Sequence, residues 1–532
     1  MIHHEPKSHA ATEVPDRLTA AQRWILFAAS LAVGLAFLDE TAVVTALRTI
    51  QRQFGASDSE VQWVMGSYLL ALASLMAATG RIADLYGRRR LFIVGAALFG
   101  LGSLACAAAP SEEVLIASRA LQGAGGALVI PLGMANATGA LPEEHRGWVI
   151  GIVSMGATVF LALGPLIGGG LVELVGWRWI FLVNVPLVVT IIVIAVRFLP
   201  ESRAEEREPL DVTGFALLVG GLVCLTIALL NLQDWGPRAL VTLSVLAAAV
   251  VLLTGFVAVE HRSEHPLINL KLLRIPTVSG SLCALFAIQF SILGLTVYLT
   301  LYLQNVLGYS PALAGALTLP TVAAAPLLAA AVGRRTDREG TRLLTSGSML
   351  LASVALVCIA LLAAHRQVAL LLPAFLVFGI ARPVATVAGT VGTVGAIPRA
   401  ARGLATALVT EARQLGAVMG VAVLGLVLTG LEIVRRRELL TGVDSNFGQR
   451  RRAALDGILA NSSHAQRLLQ AVPAARRGEV RDAAASAFIS GFRAAMLLAA
   501  VLAVAASVVS WRLLKPTAEP ADEPIDVAVA AQ

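Results

Sequence analysis

Charged residues are scarce in this sequence. Asp, Glu, Lys and Arg make up 14% of its 532 residues, whereas 57% are hydrophobic and the mean hydropathy is +0.78. A soluble domain carries roughly 25% charged residues, so the composition excludes a soluble chain and predicts one that lies in a lipid bilayer. The net charge of +7 is then no sign of nucleic-acid binding, because basic residues of membrane proteins collect in cytoplasmic loops.

Cysteine and histidine are also rare, and their positions argue against metal or catalytic chemistry. The four cysteines lie far apart inside apolar runs, which is typical of small buried residues rather than of disulfides or metal ligands. The eight histidines lie outside the apolar runs or at their edges, and no Ser/His/Asp set accompanies them. The sequence therefore predicts no enzyme, no metal site and no cofactor.

Long apolar runs dominate the chain. A membrane-spanning helix needs roughly 20 apolar residues, and we predict 14 spans, over 24–47, 61–79, 91–109, 114–137, 149–170, 179–199, 212–232, 240–260, 278–304, 312–333, 343–364, 368–392, 403–430 and 487–514. An even number of spans puts both termini on one side. Arg clusters in the short loops of that side, so both termini are predicted to be cytoplasmic. Ala and Arg are abundant and Lys occurs only three times, a composition that suggests a bacterial protein. We therefore expect the chain to lie in the plasma membrane of a bacterium.

A charged turn, Gly-Arg-x-x-Asp-x-x-Gly, occurs at 80–87 and again at 333–340. Paired repeats are typical of carriers in which one half rocks against the other. The two copies are eight spans apart, so two spans are inserted between two six-helix halves. We predict a cytoplasmic tail (1–23), an N-terminal bundle (24–200), a linker with two inserted helices (201–265), a C-terminal bundle (266–515) with an external loop (435–485), and a cytoplasmic tail (516–532).

The first charged turn is a candidate gate. Gly80 and Gly87 permit a tight reversal, and Asp84 can accept hydrogen bonds from a helix N-terminus or from Arg88 or Arg89. Such a charge lock holds one side of a carrier shut. The alternative is a basic anchor in a cytoplasmic loop with no gating role.

Span 1 contains Asp39 and Glu40, and span 4 contains Arg119. A charged residue within the membrane is a functional hypothesis by default, because its burial is costly. Desolvation disfavours the charged form of a carboxyl group, so an acid here is predicted to take up and release protons. Adjacent helical residues point about 100° apart, so Asp39 and Glu40 do not face one spot. The alternatives are a structural Asp39–Arg119 pair and an Arg119 that reaches the membrane surface.

Span 5 carries Gly164, Pro165, Gly168 and Gly169. Glycines allow close contact between membrane helices, and proline frees a backbone carbonyl. Together they predict a pliable interface suited to rocking, with ordinary glycine packing as the alternative.

These motifs, in this order, resemble the 14-span drug:proton antiporter branch of the major facilitator superfamily. The resemblance covers nearly the whole chain, and the Gly-Pro-x-x-Gly-Gly element of span 5 is typical of antiporters. It implies an all-α membrane protein with two six-helix bundles and two inserted central helices. Other segments that look like this branch are 177–181, 184–186, 302–304, 307–310 and 413–416.

The resemblance also implies roles for matching residues. Asp39 would be the coupling carboxylate, Arg119 would assist proton transfer or stabilise the ionised acid, and Asp84 with Arg88 and Arg89 would form the gate. The sequence departs from the family pattern at three positions, where Asn, Pro and a basic residue are common: Val44, Arg48 and Leu85.

Span 13 offers a second acid, Glu411, on the same helical face as Gln414. Glu411 is predicted to contact substrate or proton. The alternative is a helix-end ion pair with Arg402 or Arg413. Gln122, Tyr302 and Gln414 are the candidate substrate contacts, whereas Arg382 and Arg493 are expected to pair or to reach the surface, which leaves them without a clear role.

The spans are mostly Ala, Leu, Val and Gly, unlike the polar cavity of a sugar carrier. An apolar cavity with isolated carboxylates suits hydrophobic or cationic small molecules. We therefore expect a monomeric, proton-coupled exporter of such molecules, with the lipid bilayer and protons as its other partners and no nucleic acid. The alternatives are an exporter dedicated to one lipid or natural product, and a non-transporting membrane sensor that uses 435–485.

Overall fold

The computed structural model describes residues 18–56, 58–142, 145–202, 211–236, 238–263, 267, 270–397, 402–443 and 477–515. These residues form helices joined by short turns. The helices are α1 (Ala20–Phe54), α2 (Asp58–Tyr86), α3 (Arg88–Ala108), α4 (Glu112–Gly139), α5 (Arg146–Leu174), α6 (Arg178–Leu182), α7 (Asn184–Phe198), α8 (Val212–Trp235), α9 (Leu240–Glu260), α10 (Pro276–Leu301), α11 (Pro311–Thr318), α12 (Ala324–Glu339), α13 (Thr341–Leu362), α14 (Val368–Gly395), α15 (Arg402–Val443) and α16 (Arg477–Leu513).

Local sequence fixes the ends of α1. The Thr19 hydroxyl accepts a hydrogen bond from the Gln22 amide at 3.2 Å, and the Gln22 side chain accepts one from the Thr19 amide at 3.0 Å. This capping box satisfies amides that a helix start leaves free. Gly55 ends the helix with φ of 72°, a left-handed conformation that suits glycine. α1 is therefore a single rod whose middle lies at membrane depth.

The two charged turns lie on the same face of the molecule as the start of α1. We call this face, which carries Thr19, Gly87 and Gly340, the motif face. The reversals occur at Gly87 (φ 106°) and Gly340 (φ 81°). The prediction that Gly80 also forms the turn is wrong: Gly80 lies inside α2, which continues to Tyr86. A single left-handed residue is enough to reverse the chain.

One predicted span is broken. Among the described residues, thirteen helices are long and apolar enough to cross a membrane. The run 312–333 was expected to be the tenth continuous span, but it forms α11, a 3-10 turn at Leu319–Thr321 and α12. Pro320 lies in that turn, and proline removes a backbone donor and clashes with the preceding turn. The tenth pass is therefore discontinuous.

The helices form two bundles with an added pair. α1, α2, α3, α4, α5 and α7 pack together, as do α10, α13, α14, α15 and α16. α8 and α9 pack on each other, and α8 also contacts α2 and α15. Leu70, Leu218, Leu222 and Phe256 form a buried apolar cluster there. The inserted pair thus lies against the seam between the bundles.

The two bundles meet along α5 with α11 and along α2 with α15. A side chain at Gly169 would collide with the Pro311 carbonyl and lie 2.8 Å from the Ala312 Cα, and one at Gly315 would collide with the Pro165 carbonyl. Away from the motif face, Gln62 donates to the Thr429 hydroxyl at 3.2 Å. Close backbone contact thus joins the bundles on the face opposite the motif face.

The segment 435–485 was expected to be an external loop. Its first part continues α15 to Val443, and its last part begins α16 at Arg477. The remainder of this segment, 444–476, lies outside the described residues, so its role stays a prediction.

Gly169→Leu should open the contact between α5 and α11, because no space exists there for a side chain. We expect a clear loss of cross-linking between cysteines placed at Gln62 and Thr429, in a variant whose four native cysteines are alanine. A short bis-maleimide measures the cross-linking in membranes.

Gly170→Leu is the matched control for that substitution, since nothing lies within 4 Å of a Cβ at Gly170. It should leave the cross-linking yield unchanged. Equal yields in the two leucine variants would contradict the idea that Gly169 holds the bundles together.

Candidate functional site

A buried ion pair lies at the middle of the N-terminal bundle. The Arg119 Nη1 of α4 donates to the Asp39 Oδ2 of α1, and both side chains are 0% exposed. An ion pair this deep is stable only when the remaining polar atoms find partners. The open alternative of an Arg119 that reaches the membrane surface is wrong, because its guanidinium stays in the bundle.

Two amide side chains complete the bonding of Asp39, and a serine hydroxyl joins the two amides. Gln122 donates to the Asp39 Oδ1 at 2.8 Å, and Asn184 donates to the same oxygen at 3.0 Å. Both amides also donate to the Ser103 hydroxyl, at 2.8 and 3.3 Å. The Gln122 Oε1 in turn accepts from Arg119 at 2.6 Å. Four helices, α1, α3, α4 and α7, therefore converge on one carboxylate.

Arg119 is held from two further directions. Its Nε donates to the Val64 carbonyl of α2 at 3.1 Å, and its Cζ lies 4.1 Å from the centre of the Tyr68 ring. A cation over an aromatic face is stabilised by the ring quadrupole. The Arg119 Nη2 is buried without a hydrogen-bond partner. The guanidinium is thus positioned on α2 whether or not Asp39 is charged, with one donor unused.

Glu40, the next residue, faces a different part of the molecule. It is 1% exposed, and it interacts electrostatically with Arg413 of α15 and Arg382 of α14. Within the part of the chain that the structure describes it forms no direct ion pair with either, and its Oε1 has no hydrogen-bond partner. The expectation that Asp39 and Glu40 point to different spots is confirmed.

A cavity lies between the two bundles beside Glu40. Its walls come from α1, α5, α10, the broken α11–α12 pass, α14 and α15, and its space is about 420 Å³, including the part open to solvent. Irregular backbone at membrane depth is tolerated where it lines a cavity, which accounts for the break at Pro320. The lining residues are Phe37, Thr41, Leu161, Pro165, Gln289, Ile292, Leu293, Thr296, Thr318, Thr321, Val322, Arg382 and Arg413.

Glu411 and Gln414 lie on α15 and are 6% and 5% exposed. The Glu411 Oε1 has no hydrogen-bond partner, and no ion pair with Arg413 forms among the described residues. The side chain of Arg402, the other expected partner, lies outside the described residues. Glu411 is therefore a buried acid whose predicted role in proton or substrate contact stays a prediction.

Two of the three predicted substrate contacts are occupied by bonds inside a bundle. Gln122 belongs to the Asp39 network, and it is 0% exposed. The Tyr302 hydroxyl donates to the Ala363 carbonyl at 2.8 Å, and its ring stacks on Phe492 at 5.2 Å. Neither they nor Gln414 line this cavity. Their contact with a solute stays a prediction.

The candidate gate forms a local network on the motif face. Arg88 pairs with Asp84 at 3.1 Å, one turn apart. Glu201, which follows α7, accepts from the Arg89 amide at 3.2 Å, and the Arg89 guanidinium donates to the Val196 carbonyl. In the second copy Arg335 pairs with Glu339 at 2.9 Å, while the side chains of Arg334, Asp337 and Arg338 lie outside the described residues.

The glycines of span 5 make the close contacts that their pattern predicts. A side chain at Gly164 would lie 2.9 Å from the Thr41 Cβ, and one at Gly168 would lie 2.7 Å from the Ala42 Cα. Gly164 and Gly168 therefore pack on α1, whereas Gly169 packs on α11 of the other bundle. α5 is in direct backbone contact with both halves.

Sequence reasoning missed several members of the site. Ser103 and Tyr68 are ordinary residues of apolar spans, and Asn184 was recognised only as part of a family motif. Arg382 was expected to pair or to reach the surface, and Arg413 was considered only as an ion-pair partner of Glu411, but both line the cavity. The only signal in the sequence was their position deep within predicted spans, which is costly for arginine.

Two helical bundles around a central cavity, with charged residues buried at membrane depth, define a membrane transport protein. The profile of the Major Facilitator Superfamily matches residues 29–421, and the chain belongs to this superfamily. It is a multi-pass membrane protein with bacterial relatives.

Two of its relatives are similar over almost their whole length. The chain is 32% identical to "Multidrug resistance protein Stp" of Mycobacterium tuberculosis (strain CDC 1551 / Oshkosh), covering 93% of this chain and 92% of the relative. It is also 32% identical to the "Tetracenomycin C resistance and export protein" of Streptomyces glaucescens, covering 97% and 96%.

A solved structure shares the fold. It is a bacterial homologue of the human lysosomal transporter Spinster in an inward-facing, unoccupied conformation, with a TM-score of 0.65 and 18% identity. The match covers 93% of this chain and 98% of that chain.

Breaking the Asp39–Arg119 pair from one side should destabilise the protein. Asp39→Asn leaves a buried guanidinium without its counter-charge, which costs about 3–5 kcal/mol. We expect both Asp39→Asn and Arg119→Gln to lower the melting temperature of the detergent-purified protein. The double variant should lose much less than the sum, because it removes both charges.

The exposed pair Arg366–Asp482, at 2.9 Å, is the matched control for that cycle. Its single and double variants, Arg366→Gln and Asp482→Asn, should each shift the melting temperature little, since surface ion pairs contribute about 0–1 kcal/mol. Additive losses at Asp39 and Arg119 would show that the two charges do not stabilise each other.

Proposed function

We propose that this chain is a proton-coupled antiporter that exports hydrophobic small molecules across the plasma membrane of a bacterium by alternating access. The observation that carries the proposal is Asp39, a fully buried carboxylate on α1 whose partners lie on α4 and α7. Protonation of such a group changes the charge of a whole network, so it couples proton binding to helix packing.

The proposed cycle uses the position of α1. On one side α1 holds Asp39 against Arg119, and on the other it holds Glu40 near the arginines of the C-terminal bundle. When a proton binds Asp39, the attraction to Arg119 is lost, and α1 is free to shift against α5. Thr41 and Ala42 pack directly on Gly164 and Gly168, so this shift is passed to the helix that contacts the other bundle.

The direction of transport follows from the relatives and the gate. One relative is named for resistance and export and the other for multidrug resistance, which supports export here. The network of Asp84, Arg88 and Arg89 on the motif face is the proposed gate on the cytoplasmic side. In the arrangement described, the close contacts of Gly169 and Gly315 hold the opposite face shut, which corresponds to a cavity that takes solute from the cytoplasm.

The proposal includes the arrangement in the membrane. The units 24–200 and 266–515 act as the two rocking halves of a monomer, and the helices of 201–265 lie beside their seam. The motif face with its arginine-rich turns faces the cytoplasm. Both termini then lie inside the cell, because the passes alternate.

A second candidate is an exporter dedicated to one natural product, favoured by the relative named for tetracenomycin C. The two candidates differ in the range of solutes that should compete for transport. A multidrug pump should be inhibited by chemically diverse solutes, whereas a dedicated exporter should respond to close analogues of a single compound.

The coupling role of Asp39 is tested in proteoliposomes with an imposed pH gradient. Asp39→Asn cannot exchange a proton at this position, so uphill transport of a dye should fall to the rate measured without a gradient. Downhill transport should persist to the extent that the variant folds, which size-exclusion chromatography reports. A pH-sensitive fluorophore inside the vesicles records the accompanying proton movement.

Asp482→Asn serves as control, because this acid is exposed and lies outside the bundles' interior. It should transport dye and protons at the rate of the unchanged protein. Uphill export by Asp39→Asn with an unchanged number of protons per dye would overturn the coupling role.

The orientation is tested with reporter fusions. Alkaline phosphatase fused after Lys515 should be inactive and a fluorescent protein there should be bright, because phosphatase folds only outside the cytoplasm. Phosphatase inserted after Gly236, between α8 and α9, should be active. An active phosphatase at the C-terminus would invert the proposed topology.

A further inference from the structure

The wall of the central cavity carries positive charge, which the apolar composition of the spans does not suggest. The two charged residues in its wall are both basic, Arg382 and Arg413. Arg382 comes from the middle of α14 and is 8% exposed, and Arg413 comes from α15. Two guanidinium groups from different helices thus face one space between the bundles.

These guanidinium groups are free to bind a ligand. Among the residues that the structure describes, neither has a hydrogen-bond or ion-pair partner, and the Arg413 Nε is buried without one. An arginine at membrane depth normally pairs with a carboxylate or a carbonyl. Arg119 follows that rule, whereas Arg382 and Arg413 do not. Their missing partner is best supplied by the solute.

The polar residues around them leave few other donors. The threonine hydroxyls of the wall already donate to backbone carbonyls: Thr41 to Phe37 at 3.0 Å, Thr296 to Ile292 at 2.7 Å, Thr318 to Gly315 at 2.8 Å and Thr321 to Thr318 at 2.7 Å. A hydroxyl has one proton to donate. The donors that remain in the wall are the Gln289 amide and the two guanidinium groups, and of these only the guanidinium groups carry a charge.

The balance of charge favours an anion. Glu40 is the acid near Arg413 and Arg382, and Asp39 is already neutralised by Arg119 inside the N-terminal bundle. Two basic groups then face one carboxylate, which leaves an excess of positive charge. The N-terminus of α12, at Ala324, follows the lining residue Val322, and the positive end of a helix dipole favours an anionic group at membrane depth.

We infer that the central cavity binds a hydrophobic solute that carries an anionic group, such as a carboxylate or sulfonate, and that Arg382 and Arg413 hold this group. The inference rests on the proposed export function and names its substrate class, in place of the cationic solutes that the sequence suggested. Phe37, Leu161, Ile292 and Leu293 supply apolar wall for the rest of the molecule. A cation in the same place would meet two like charges in a medium of low polarity.

Matched probes test the charge preference directly. 1-Anilino-8-naphthalenesulfonate carries a sulfonate, N-phenyl-1-naphthylamine is the same skeleton without it, and ethidium is a cation of comparable size. Equilibrium dialysis against the full-length protein in lipid nanodiscs, with empty nanodiscs subtracted, gives the three dissociation constants. The sulfonate should bind most tightly, and ethidium should not bind in the cavity.

Arginine substitutions then test the assigned residues. Arg382→Gln and Arg413→Gln should each weaken binding of the sulfonate about tenfold or more, because a hydrogen bond to a charged group is lost. Binding of the neutral probe should change less than about twofold, since it relies on apolar contact. Arg382→Lys and Arg413→Lys should recover part of the affinity, and Arg366→Gln, an exposed arginine, should change nothing.

Some results would overturn the inference. One is tighter binding of ethidium than of the sulfonate by the unchanged protein. Another is an unchanged affinity for the sulfonate in both glutamine variants. A third is that folded glutamine variants lose as much affinity for the neutral probe as for the sulfonate. Because binding is measured without a pH gradient, failure of proton coupling leaves this test unaffected. Conversely, sulfonate binding without uphill transport would contradict the antiport proposal alone.

Discussion

The structure depends on the ion pair between Asp39 and Arg119 at the centre of the N-terminal bundle. Charges taken out of water cost several kcal/mol each, and attraction offsets this only when the remaining polar atoms are bonded. Gln122 and Asn184 bond Asp39, and Ser103 accepts hydrogen bonds from both amides, which adds α3 and α7 to the two helices of the pair. Close packing of the bundle around α1 depends on this network. The bonding of the ion pair and the packing of the helices are therefore linked.

Glu40 extends that constraint to the other half of the molecule. Consecutive residues on a helix point about 100° apart, so α1 presents one acid to its own bundle and the next acid to Arg382 and Arg413 across the cavity. A change of charge on either side alters the forces on the same rod. Two adjacent residues therefore give a short physical connection between the Asp39–Arg119 pair and the basic wall of the cavity, without a long chain of intermediates.

The sequence predicts much of the fold, because apolar runs and glycine turns are local signals. It predicts the repeated turn, most of the membrane-spanning helices and the close packing of the span 5 glycines. It does not predict the break at Pro320, since proline also occurs in continuous helices such as α4 and α5. Irregular backbone at membrane depth is tolerated where it lines a cavity, as Thr318, Thr321 and Val322 do here. Pro165 lines the same cavity within the continuous helix α5, so the local sequence does not show which proline breaks a span.

For the site, even less can be predicted from the local sequence, because its charges depend on which helices face each other. An arginine within a span can satisfy its charge inside the bundle, at the membrane surface or in a cavity, and the local sequence around Arg119 and Arg382 does not distinguish these outcomes. The distinction arises from which carboxylates the fold brings near: Arg119 meets Asp39, while Arg382 and Arg413 share Glu40. The charge of the cavity wall is therefore a sum over facing helices. A count of apolar residues along the chain misses this charge, because two guanidinium groups outweigh many alanines.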